Sequence, residues 1–164
     1  MRMLSILLAV LFSFNCFGQG YLKPNEQIIL SFQINGGKQV FLVKDRGDKY
    51  ISYRFGTKDK VEFEYPGINK HSLERFTYSY YIRGGGKANE AMDLNYLYFT
   101  NGGYQYVLYQ NYFAAEEKLE VGIKVTDLEK KKTVDIKGDV KTKKGTLVDF
   151  RDNGLVKIGD DLFD

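Results

Sequence analysis

Apolar and polar residues alternate with period two along most of this chain. Residues 61–65 read VEFEY, so Val61, Phe63 and Tyr65 face one way and Glu62 and Glu64 the other. Residues 119–125, LEVGIKV, repeat the pattern, with Leu119, Val121, Ile123 and Val125 set against Glu120 and Lys124. Such alternation marks half-buried strands. Turn signals separate the runs: NGG at 35–37 and at 101–103, RGD at 46–48 and GTKD at 56–59. Asn and Gly accept the positive φ that tight hairpins demand. The pattern predicts strands near 26–34, 38–45, 49–55, 60–65, 75–82, 94–100, 104–113, 119–127 and 132–137. A short, weakly marked helix is expected near 145–151. The predicted fold is all-β: a single-domain antiparallel meander of about eight to nine strands that closes into a barrel or folds into a sandwich.

The first residues predict a compartment. Arg2 precedes the apolar run at 4–14, and Cys16 and Gly18 place small residues at −3 and −1 of a cut before Gln19. That is the layout of a cleaved signal peptide, residues 1–18, and it predicts a periplasmic or extracellular protein. A retained anchor and lipidation at Cys16 are the alternatives. The apolar run is shorter than the roughly 20 residues a spanning helix needs, and no integral membrane association is expected. Removing 18 of 164 residues leaves 146, one domain with room for a single core. The only cysteine leaves with the signal, so the remaining chain has no disulfide and no thiolate chemistry. With Arg2 gone, 23 basic residues oppose 21 acidic ones, a net charge of +2. A nucleic-acid partner is not expected at that balance. The lysine-rich segment at 130–144 reads as a solvated hairpin, and 149–164 as a frayed acidic tail.

Candidate chemistry is sparse. Arg83 runs into Gly84, Gly85 and Gly86, but Lys87 is followed by Ala88, where a phosphate loop needs Ser or Thr. The glycines read first as a bend and second as an anion nest with Arg83. His71 is the single histidine of the sequence, whereas imidazole metal sites use two or three ligands and a triad needs a held base, and it reads as a surface-loop residue. Glu62 and Glu64 lie on the same face of one strand, unlike glycosidase carboxylates that straddle a groove, and read as a solvent-facing pair. Residues 149–160 carry Asp, Asn and Gly at calcium-loop positions, but Arg151 and Lys157 stand where ligands belong. No metal and no cofactor are predicted.

The aromatics are the strongest hint. Tyr78, Tyr80 and Ile82 share one face of their strand, and Tyr81 takes the other. Tyr104 and Tyr106 share a face opposite Tyr109 and Phe113, while Tyr96 and Tyr98 stand on the strand between. A core absorbs one face of a strand, so amphipathic rings remain on the other to meet a protein or a sugar. The candidate binding residues are therefore Arg83, Tyr80, Tyr81, Tyr98, Tyr106 and Tyr109.

The phrases YRFGTKDKVEFEYP, YSYYIRGGG, MDLNYLYFTNGGYQYVLY, VGIKVTDL and GTLVDFRD resemble a family of small exported bacterial all-β proteins. The likeness covers residues 48–152. It implies export and an all-β fold, and it implies no activity or site residue. The sequence thus predicts a non-enzymatic exported binding protein whose partner is a protein or an envelope polysaccharide, an inhibitor or immunity-type protein being one form. The alternatives are a glycan- or peptide-acting enzyme using carboxylates and tyrosine, and an outer-membrane β-barrel.

Overall fold

The computed structural model describes residues 21–57, 59–67 and 71–163, so the signal-like segment with Cys16 and the cut before Gln19 lie outside the described residues. Strands β1 (Glu26–Ile34), β2 (Lys38–Asp45), β3 (Ile51–Thr57) and β4 (Lys60–Tyr65) form one antiparallel meander. Strands β5 (Thr77–Arg83), β6 (Met92–Asn101), β7 (Tyr104–Phe113), β8 (Lys118–Asp127) and β9 (Lys132–Gly145) form a second. A two-residue strand, β10 (Lys157–Ile158), lies parallel to the start of β5. All ten belong to one sheet, in the order β10-β5-β6-β7-β8-β9-β1-β2-β3-β4, curled into a half-barrel. The all-β expectation holds, but there are ten strands rather than eight to nine, and the sheet keeps β4 and β10 as its edges.

The joint is β9. Its first half pairs with β8, from Lys132 opposite Asp127 to Lys137 opposite Gly122. Its second half pairs with β1, where Gly138 meets Ile34 and Lys144 meets Ser31. One strand of 14 residues therefore serves both meanders, well past residue 137, where the sequence expectation ended. The lysine-rich segment is a central strand whose residues are exposed or half-buried.

Curling brings β3 and β4 over β6 and β7, and aromatic rings fill the gap. Tyr65 stacks on Phe99 at 4.3 Å between centroids, Phe99 on Tyr106 at 4.9 Å, and Phe63 on Tyr106 at 5.4 Å. Leu30, Leu42, Ile51, Leu97, Leu108 and Ile123 complete a core without solvent contact. A 3-10 turn at Val148–Arg151, where the sequence suggested a short helix, inserts Phe150 beside Leu147 into this core. Arg151 then reaches across the sheet's inner face to the Asp93 carboxylate and, at 2.7 Å, to Asn95 Oδ1. Arg151, which sat in the calcium-like pattern, is thus a pin for the turn.

The expected frayed tail is a packed segment. After β10 the chain crosses to the outer face of β5 and β6. There Asp161 accepts the Tyr98 hydroxyl at 2.6 Å, and Phe163 sits edge-on to Tyr98 and Tyr96 at 4.9 and 5.4 Å. Among the described residues no helix is long and apolar enough to cross a membrane.

Candidate functional site

The register of β5 to β8 sets the outer face out as rows. Arg83, Met92, Phe113 and Lys118 form the first row; Tyr81, Leu94, Asn111 and Glu120 the second. Ser79, Tyr96, Tyr109 and Gly122 form the third, and Thr77, Tyr98, Val107 and Lys124 the fourth, which β9 extends with Asp135. Period-two alternation is the cause. Every second residue of each strand points away from the half-barrel, and here eight of those residues are apolar or aromatic. Leu94, Tyr96, Val107 and Tyr109 are buried and make a second apolar cluster outside the main core. The expectation that a core absorbs only one face of each strand is corrected by this cluster, which the C-terminal tail covers in part.

What the tail leaves uncovered is a groove of about 270 Å³. Its apolar lining is Met92, Leu94, Tyr96, Tyr109, Phe113 and Phe163. Its polar lining is Asn111, Glu120, Lys124 and Asp135. A second hollow of about 220 Å³ adjoins it, shares Met92 and Phe113, and ends at Arg83, Glu90 and Glu116. The two hollows, flanking Met92 and Phe113 on the way from Phe163 to Arg83, are together termed the channel.

Each polar group in the channel is oriented. Tyr109 donates its hydroxyl to Asp135 Oδ1 at 2.9 Å, and burial first, then that carboxylate, pushes its phenol pKa well up. A methyl on Gly122 would strike the Tyr109 hydroxyl and the Ile136 carbonyl, so the bare glycine is what seats the ring. Lys124 donates to the Phe163 carbonyl at 2.9 Å and lies 6.0 Å from the Tyr109 ring centre. Asn111 Oδ1 accepts the Asn95 N–H at 3.2 Å. Glu120 takes Lys118 Nζ at 2.7 Å. Tyr98, roofed by Phe163, has its phenol pushed up to about 12 by burial and by the Asp161 carboxylate it donates to.

Four of the residues singled out from sequence, Arg83, Tyr81, Tyr98 and Tyr109, lie on this face. The other two point inward. Tyr80 lies beneath the Arg151 guanidinium, 5.0 Å from ring centre to Cζ, and Tyr106 is stacked in the core. Arg83 is not free: Nε and Nη2 donate to the Glu90 carbonyl at 3.0 and 2.7 Å and hold the glycine loop closed. Of the glutamates read as a solvent-facing pair, Glu62 takes Lys38 at 2.6 Å. Glu64 accepts Arg54 Nε at 2.8 Å and Ser52 at 3.0 Å and joins a buried charge cluster.

Sequence reasoning missed Asn111, Lys124, Asp135 and Phe163. Asn111 carried a usable signal, since alternation along β7 puts it on the face of Tyr109, whereas Lys124 joins that face only through the register of β8 on β7. Phe163 carried none, because its position depends on where the tail goes. No protein-family model matches the chain, and neither a curated protein nor a solved structure matches it. The resemblance noted from sequence therefore adds no residue to the site.

Chemically the channel suits binding. The half-buried rings of Phe113 and Phe163 can meet the C–H face of a sugar ring, while Tyr96 and Tyr109 lie buried beneath, and the polar groups along the sides can take hydroxyls.

Proposed function

We propose that this is an exported, non-enzymatic binding protein that holds a stretch of envelope polysaccharide in the channel across β5 to β8. The observation that carries the reading is the convergence of Arg83, Tyr81 and Tyr109 with Met92, Phe113 and Asn111 on one face. The floor is apolar, and the flanks offer both a donor, Lys124, and acceptors, Glu120 and Asp135. An uncharged sugar chain presents the same alternation of apolar faces and hydroxyl edges. The channel's length, from Phe163 to Arg83, suits an oligosaccharide better than a single ring. Export follows the signal-like segment, with cleavage before Gln19; N-terminal sequencing of the protein recovered from the envelope or medium tests that part.

The test of binding is calorimetric titration with polysaccharide fractions from the native envelope. Phe113→Ala and Asn111→Ala should each weaken binding by about tenfold or more, the equivalent of about 1.4 kcal/mol, with strand content unchanged. Absence of binding to every fraction overturns the reading. Release of new reducing ends during the titration replaces it with the enzyme alternative.

A further inference from the structure

β5 is covered on one side only. β6 pairs with all seven of its residues, but β10 pairs with Thr77 and Tyr78 alone before the chain leaves for the outer face. The Gly159 N–H donates to the Tyr78 carbonyl at 2.8 Å, so the backbone groups of Tyr78 point away from β6. Alternation puts the N–H and C=O of Tyr80 and Ile82 in the same direction. Neither β6 nor β10 meets them there. The side chains along this bare edge are Tyr80, Tyr81 and Ile82, exposed by 41, 40 and 53%. Natural edges are blunted with charge, proline or a bulge, and a bare apolar edge is a template for another strand. β4, at the far edge, carries Lys60, Glu62 and Glu64 instead.

The geometry points to a second copy of this chain as the occupant, joined β5 to β5 about a two-fold axis at Tyr81. An antiparallel pair centred there sets Tyr80 opposite Ile82 of the other copy, twice. Both residues turn N–H and C=O toward the partner, so four hydrogen bonds form and no edge-facing group of either is left over. Tyr80 and Ile82 make an aromatic–β-branched cross-strand pair on the inner face, a favourable combination. Tyr81 meets its own copy on the outer face. No like charges oppose one another: Arg83 falls beside Ser79. β5 ends at Arg83, so the paired stretch runs from Ser79 to Arg83 and stops short of Tyr78, whose edge β10 occupies. The axis also abuts the two outer faces, which joins their channels side by side. This assembly does not rest on the polysaccharide reading. So short an edge buries less than the roughly 1,200 Å² of a standard stable interface, and the dimer is weak and concentration-dependent.

The test uses purified protein carrying Cys16→Ser. Sedimentation equilibrium should show the average mass rising toward a dimer with concentration. Ile82→Pro removes one edge-facing N–H without touching the β5–β6 ladder, and should return the mass to that of a monomer; Val134→Lys, at an exposed site on β9, should not. Tyr81→Cys should then form an intermolecular disulfide at least about tenfold faster than Arg83→Cys, because paired Cβ atoms at 81 fall within disulfide reach and those at 83 do not. The Cα atoms at 83 would be offset by roughly 13 Å along the strand. A monomer at every concentration, or a dimer that Ile82→Pro leaves intact, overturns the proposal. If Ile82→Pro does not fold, equal cross-linking rates for the two cysteine variants overturn it. Capture of a different protein's extended segment on a monomer that never self-associates would assign the edge to that partner.

Discussion

Arg54 and Glu26 meet side by side, Nη1 to Oε2 at 2.6 Å and Nη2 to Oε1 at 2.7 Å, and neither side chain is more than 2% exposed. The pair lies on the outer face of the first meander and is closed in by the segment before β1. Tyr21 stacks on Phe41 at 4.6 Å, its carbonyl accepts Arg54 at 2.6 Å, and the Lys23 N–H donates to Glu26 at 2.8 Å. Tyr50 donates to Glu26 at 3.0 Å, and Glu64 takes the remaining Arg54 nitrogen. A buried ion pair is tolerable only when such bonds satisfy every group, and breaking one half strands the other charge. Glu26→Gln should therefore cost about 3 kcal/mol or more, read as a lower urea midpoint with an unchanged slope. A loss below about 1 kcal/mol would mean that Glu64 alone can hold Arg54, given the usual worth of a single charged hydrogen bond.

The same pair sets an acid limit. Burial works to raise the Glu26 pKa, but the bonds from Arg54, the Lys23 N–H and Tyr50 outweigh it, and the carboxyl titrates below its ordinary value of 4.5. Below that value the unfolded chain binds a proton that the folded one refuses. The contribution is thus whole above pH 4.5 and is lost as pH falls through the folded value. Stability measured against pH should fall more steeply below 4.5 in the parent than in Glu26→Gln. Parallel curves would remove Glu26 from the explanation.

The tail has an alkaline limit of opposite origin. Tyr98 donates to Asp161, and its phenol titrates near 12 rather than at the ordinary 10. A raised pKa gives stability that is whole below pH 10 and fades as pH rises through about 12. Proteolysis or hydrogen exchange at residues 159–163 should accelerate over that window in the parent. Tyr98→Phe should show the faster rate already at neutral pH, with no further pH step of its own.

How far the sequence could be read follows from the range of each interaction. Alternation put Tyr80 and Tyr81, and Tyr106 and Tyr109, on opposite faces, as found, because that rule is local to a strand. It could not say that both faces would be used. The outer cluster of Tyr96 and Tyr109 is buried by Phe163, more than fifty residues on, and a tail rich in aspartate reads as solvated. Arg54 was equally hidden. Its neighbours Tyr53 and Phe55 mark a strand, but Glu26 lies 28 residues earlier. The turn at Val148–Arg151 looked like a weak helix because nothing nearby shows that Phe150 belongs in the core.

The glycine loop after β5 gives the sharpest separation of neighbouring residues. Gly85 and Gly86 have φ of 102° and 67°, a region that costs a side chain strain, whereas Gly84 has no positive φ and open space where a Cβ would be. Gly85 is also crowded: a Cβ there would come within 2.5 Å of Asn89 Nδ2 and 2.8 Å of Asn89 Cβ. Gly86→Ala should therefore cost on the order of 1–2 kcal/mol from backbone strain. Gly85→Ala should cost more than Gly86→Ala, and Gly84→Ala should stay within about 0.5 kcal/mol of the parent. Arg83→Ala removes two exposed bonds to the Glu90 carbonyl and should cost about 1 kcal/mol at most, while loosening the loop in hydrogen exchange. Four thermal melts decide the order. If Gly84→Ala is as damaging as Gly85→Ala, the loop's strain does not lie in its two positive-φ glycines. If all four variants melt with the parent, the bend is held by the 3-10 turn at Lys87–Asn89 rather than by glycine.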